Sequence, residues 1–161
     1  MRHAIRSVWE SNTKYALGLV EGVSAERMIA QPVAGVTMNH PAWVLSHLNV
    51  YAPIAAAMLR REPFEDPAEH RYGRKSKVVN DLNEYLTKDA LIAEYTRVHG
   101  DALAALNSAD ERVFGEATPL ERWRAVHPTV GDVVLMLMVK HESIHLGQLS
   151  AWRRAMGLAP V

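Results

Sequence analysis

Apolar and polar positions follow one another along this chain mainly at the three-four spacing of amphipathic helices. The longest such stretch, Thr129 to Gly157 (TVGDVVLMLMVKHESIHLGQLSAWRRAMG), orders the rest. Its apolar stripe takes in Val134, Leu137, Met138, His141, His145, Leu149, Trp152 and Met156. Thr129 and Asp132 resemble a short capping box at the start, and Gly157 with Pro160 reads as a stop. The spacing predicts one helix of roughly 40 Å at about 1.5 Å per residue. Lys140, Glu142, Arg153 and Arg154 fall mostly off the stripe, so His141 and His145 face the interior rather than solvent.

Three further helices follow from the same pattern. Residues 2–20 place Ile5, Val8, Trp9, Tyr15, Ala16 and Leu19 on one face with Asn12 in its middle. Asn12 either points into a central cavity or is satisfied near the helix edge. In NHPAWVLSHLNVYAPIAAAMLRRE, Asn39 or His40 caps, Pro41 suits the first turn, and Val44, His47, Leu48, Tyr51, Ala55 and Met58 form the stripe. Pro53 predicts a kink just beyond His47. After Thr87, a third helix carries Leu91, Tyr95, Val98, Ala102 and Ala105 or Leu106, and His99 sits off that stripe in a surface position. Gly22–Thr37 is a connector. Arg61–Leu86, rich in proline and charge, reads as a long surface connection with an exposed His70 and a short helix near 78–83. Residues 108–128 link the third helix to the fourth. With no convincing strand run, the fold class is all-α, a four-helix bundle, and residues 1–161 are read as a single domain.

Composition narrows the chemistry. Lys and Arg total 18 and Asp and Glu total 18, so no charge excess points to nucleic acid or an anionic membrane, and near-zero charge permits self-association. The chain has no cysteine, which removes thiolate metal sites, disulfides and a cysteine nucleophile, and leaves His, Asp and Glu as possible ligands. Any thiol chemistry needs a thiol cosubstrate. No stretch reads as a signal peptide and no segment approaches 18 apolar residues, so a cytoplasmic location is the expectation.

Two imidazoles one helical turn apart can reach one divalent ion, and His47 adds a third ring to the same interior. His40, seven residues earlier, lies about 10 Å away along the axis and is a helix-start residue instead. Interior histidines are costly unless each finds a partner. A shared metal satisfies all three rings at once, and separate hydrogen bonds are the alternative.

The pairing of WVLSHL on the second helix with KHESIHLGQLSAWRRAMGL on the fourth, about ninety residues later, resembles the DinB/YfiT-like superfamily of bacterial metal-binding bundles, over nearly the whole chain. HxxxHxGQ with the trailing WRR and Gly, together with the upstream histidine, is the most specific part. The resemblance implies an up-down-down-up bundle with a long crossover from helix two to helix three, and a metal triad of His47, His141 and His145. Some relatives that use mycothiol have glutamate at the position matching His141, where this chain keeps histidine, as many members do. Gly147 is expected to let a neighbouring helix, or else the site, approach the backbone closely, with helix packing the favoured reading. Gln148, three residues after His145, either orients a ligand or bound water or makes a hydrogen bond at the bundle edge.

Three neutral ligands leave open positions on zinc, nickel or iron, as a catalytic site requires. No general base stands out, because Glu142 points about 100° away from His141. Characterised relatives resemble S-transferases or isomerases that use low-molecular-weight thiols. The resemblance therefore implies a metal-dependent thiol transferase acting on small electrophiles in stress or detoxification chemistry, with a divalent ion and a thiol cosubstrate, as a homodimer. The rivals are a metal- or ligand-binding bundle without turnover and a metal-free interaction module in which Trp9, Trp43, Trp123 and Trp152 serve packing or dimer contacts.

Overall fold

A computed structural model describes all 161 residues. Four long helices form the body: α1 (Arg2–Val20), α2 (Pro41–Arg60), α3 (Lys88–Ser108) and α4, which runs without a break through Val130–Leu135, Met136–His141 and Glu142–Ala155. Only an isolated bridge between Ala117 and Thr129 pairs backbone in the manner of a sheet.

Local chemistry sets the helix ends. Pro41 opens α2 behind His40, whose Nδ1 accepts the Trp43 N–H at 3.2 Å. Thr87 Oγ1 accepts the Ala90 N–H to start α3. Thr129 and Asp132 form a reciprocal capping box at the start of α4. At the other end of α4, Gly157 takes φ +70°, and the Leu158 and Gly157 N–H groups donate to the Arg153 and Arg154 carbonyls, a Schellman stop. α2 continues through Pro53, which sits on the solvent side.

Cross-helix contacts give the topology. Asn49 reaches Leu91 and Arg60 reaches Asp101, so α2 and α3 run parallel. Trp9 against His99 and Lys88 against Val23 make α1 antiparallel to α3. Asn12 against Ser143 and Tyr15 against Ser150 make α1 parallel to α4. The order is up-down-down-up. Parallel α2 and α3 require the chain to travel back along the length of a helix, which residues 61–87 do, with one-turn segments at Pro67–Glu69 and Leu82–Glu84.

The core divides into two apolar clusters. One holds Ile5, Trp9, Tyr51, Val98, Leu106, Val134 and Met138, and the other holds Leu19, Trp43, Leu48, Tyr95, Leu146 and Trp152. Along every helix the division falls at the same level, and there the buried polar side chains His47, His99, Glu142 and His145 lie. A polar layer thus crosses the middle of the bundle.

Two features differ from what the pattern predicts, the apolar length of α2 and the burial of His99. α2 is long and apolar enough to cross a membrane by length and composition, with a mean hydropathy of 1.3 over its best window. That window is 83% buried inside the protein, as befits the central helix of a bundle, which is apolar all round because neighbours surround it. His99, expected on the surface, is 1% exposed. α3 packs against both α1 and α2, so its buried face is wider than a single stripe and includes the position one turn after Tyr95.

Candidate metal centre

His47 comes from α2, and His141 and His145 from α4 on either side of a change in helix type. Met136–His141 is a π-helical segment inside α4. Up to its first turn the buried side chains are Val130, Val133, Val134, Leu137 and Met138, the last two inside the segment; after it they are Glu142, His145, Leu146, Leu149 and Trp152. Uninterrupted α-helix would continue the first series through residues 141 and 144 or 145. The π turn takes up one extra residue and moves the buried face on by about one position, near 100° of α-helical rotation. Glu142 is thereby carried into the core, 2% exposed, against the reading that placed it off the stripe.

The π turn leaves the three rings converging. His141 Nε2 lies 3.0 Å from His47 Nε2 and 3.2 Å from His145 Nε2, and the ligand atoms of all three fall within 4.8 Å of one another. Partners on the far side of two rings fix which nitrogen carries hydrogen. His47 Nδ1 donates to the Tyr72 carbonyl at 2.6 Å, since a carbonyl can only accept. His145 Nδ1 donates to Gln148 Oε1 at 3.0 Å, and that oxygen also accepts from Asn39 Nδ2. Both rings therefore turn bare Nε2 lone pairs toward His141. His141 Nδ1 is buried without a partner.

This donor set fits a divalent ion. Three nitrogens on a tetrahedral ion at about 2.1 Å lie about 3.4 Å apart, close to the two Nε2–Nε2 separations from His141. Without an ion, one Nε2–H of His141 faces two acceptors and can serve only one of them. Burial, followed by the charge of neighbouring imidazoles, depresses the rings' proton affinity, to about 4 for His47 and about 3 for His141, and burial lowers His145 as well. At neutral pH all three rings are therefore uncharged, so no imidazolium has to give up a proton before an ion binds. Trp43 stacks on His47 at 4.7 Å, and Tyr51 packs against His47 and His141 at 4.8 and 4.7 Å.

The rings open onto a cavity of about 330 Å³ that is also lined by Tyr51, Arg74, Arg122, Trp123, Met136 and Leu137. A larger groove, about 870 Å³, lies between α2, α3 and the crossover and contains none of the three histidines. The crossover is more than a surface connection, because Tyr72 orients His47 and Arg74 lines the cavity. Tyr51 stands one turn after His47 in the α2 stripe and was legible there. Arg122 and Trp123, in a short helical turn between prolines, carry no sequence signal for the site, and the Tyr72 contribution is a backbone oxygen.

The other expected residues divide. Gln148 contacts His145 directly, as above. Asn12 does not line the cavity; its Nδ2 donates to Ser143 Oγ at 3.1 Å and ties α1 to α4. Gly147 is exposed, and a Cβ there would meet nothing within 4 Å, so no helix packs on it. His40 is the α2 cap and His70 is exposed.

On the opposite side of α4, Glu142 Oε1 accepts from the Tyr95 hydroxyl at 2.5 Å and lies 3.2 Å from His99 Nε2. His99 Nδ1 donates to the Tyr95 carbonyl, and its ring lies between Trp9 and Tyr95. Burial and the adjoining carboxyl group hold the Tyr95 hydroxyl well above its ordinary value, so it keeps its proton and donates. This carboxyl group braces α4 against α3 and is not turned to the cavity.

A family model described as the DinB superfamily matches residues 9–149. No curated protein and no solved structure matches the chain.

Proposed function

This chain belongs to the DinB superfamily, and from that premise we propose that it binds a divalent ion through His47, His141 and His145 and acts as a metal-dependent thiol transferase on small electrophiles. The observation that carries the reading is the convergence of three imidazole nitrogens, two with their tautomers fixed from behind, at the floor of an aromatic-walled cavity.

A divalent ion with open positions supplies Lewis acidity that lowers the pKa of a thiol. The chain's own residues supply the rest. Tyr72 and Gln148 hold the imidazoles in register, and such outer hydrogen bonds are worth about 10–100-fold in metal affinity or activity. Trp43, Trp123, Met136 and Leu137 give an electrophile an apolar wall and exclude water. No acidic side chain lines the cavity, so a cosubstrate thiol gives up its proton to solvent rather than to a protein carboxylate. The same feature supports a second reading, a protein that binds a small ligand at the metal without turning it over.

The test is conjugation of a small electrophile by metal-loaded protein with glutathione, mycothiol and bacillithiol in turn. Turnover with one of them that disappears in His145→Ala supports the transferase. No conjugation with any of the three contradicts it and leaves the binding protein.

A further inference from the structure

The cavity's polar lining is unbalanced. Besides the histidines and Tyr51, its polar side chains are Arg74 and Arg122, with no Asp or Glu among the ten lining residues. Arg122 is answered, since its Nε donates to Asp66 Oδ2 at 2.8 Å and its Nη2 to Asp66 Oδ1, while its guanidinium lies over the Trp123 ring at 4.9 Å. That pairing occupies two of five N–H donors and leaves three. Arg74 is exposed and takes part in none of the molecule's ion pairs. Both arginines line the same cavity as Tyr51 and the three histidines. Two arginines and one aspartate leave one net positive charge. Trp43 adds a buried indole N–H that has no acceptor in the protein.

We infer that the ligand of this cavity is a small molecule carrying one carboxylate, seated between Arg74 and Arg122 with its reactive end turned to the three histidines. Guanidinium suits this task because its planar fork matches a carboxylate in two parallel bonds and its charge persists at all working pH values. A sulfur-bearing end then reaches the metal, and the carboxylate fixes the molecule at a second point. A cavity of about 330 Å³ takes a compact molecule. The inference rests on the metal reading only for which end points inward; the carboxylate seat is made by arginines that do not depend on the ion.

The test uses 3-mercaptopropionate and its neutral amide as probes, with binding read by the fluorescence of Trp43 and Trp123, which line the cavity. Zinc-loaded protein is expected to bind the acid about ten-fold more tightly than the amide, the scale of one charge-assisted hydrogen bond. Arg74→Gln should remove most of that preference without altering zinc content or melting temperature, and Arg74→Lys should keep part of it. Equal binding of acid and amide by the wild type, or a preference that survives in Arg74→Gln, overturns the inference. Propionate and propionamide on chelator-treated protein separate the two readings. If the protein holds no zinc yet still prefers propionate through Arg74, the seat stands and the metal reading falls. If zinc is bound and neither acid is preferred, the reverse holds.

Discussion

At the scale of single residues, neighbours assign the second nitrogen of two of the three histidines, and that of His141 is buried without a partner. Tyr72 and Gln148 hold hydrogen on Nδ1 of His47 and His145, which leaves the Nε2 lone pairs free. The three histidines were legible in the sequence because they fall on helical stripes. Glu142 was not. It and His99 form a buried pair with Tyr95 in the same polar layer, and removing one partner there strands the others. Glu142→Ala is expected to cost about 3 kcal/mol of stability, and Glu142→Gln, which keeps an acceptor for the Tyr95 hydroxyl, about 1 kcal/mol. Urea unfolding of metal-free protein checks this, and equal small losses for both variants would show that the carboxyl group braces nothing.

At the scale of elements, the four helices and their caps followed from periodicity and from Thr87, Thr129, Asp132 and Pro41. The register within α4 did not. A reading at a uniform 3.6 residues per turn has no place for the π segment, so it carried the early stripe straight through and put Glu142 outside. The extra residue is what lets His141 share the cavity while Glu142 faces α3. Removing Lys140, exposed within that segment, should restore plain α-helix and rotate the two parts of α4 by about 100° relative to each other. The expected outcome is helical circular dichroism close to wild type with stoichiometric metal binding lost. Retention of full metal binding would show that the π turn does not set the site.

At the scale of the whole molecule, the bundle buries a polar layer between two apolar clusters, and that layer is where acid should act. A histidine in the unfolded chain takes up its proton near the ordinary value of 6.5, whereas folded His47 and His141 resist until about 4 and about 3. Between those limits the unfolded chain binds more protons than the folded one. Their contribution is therefore fully present above about pH 6.5 and is lost as pH falls toward 4. Melting temperatures of chelator-treated protein should be level above neutrality and decline through this window, more steeply than for His141→Gln, which lacks one of the groups. Identical profiles for the two would show that His141 is not buried as a neutral ring. The crossover is the other whole-molecule feature that the pattern did not reveal. Its length was plain from its prolines and charges, but Tyr72 and Arg74 reach the site only because parallel α2 and α3 force residues 61–87 back past the cavity mouth.

The proposed function requires three imidazole nitrogens to hold one ion. Elemental mass spectrometry of untagged protein, purified at neutral pH with zinc or nickel offered, compared with His145→Ala, measures this directly. One equivalent in the wild type and none in the variant is the result predicted. No metal in either protein, or the same equivalent in both, would contradict it.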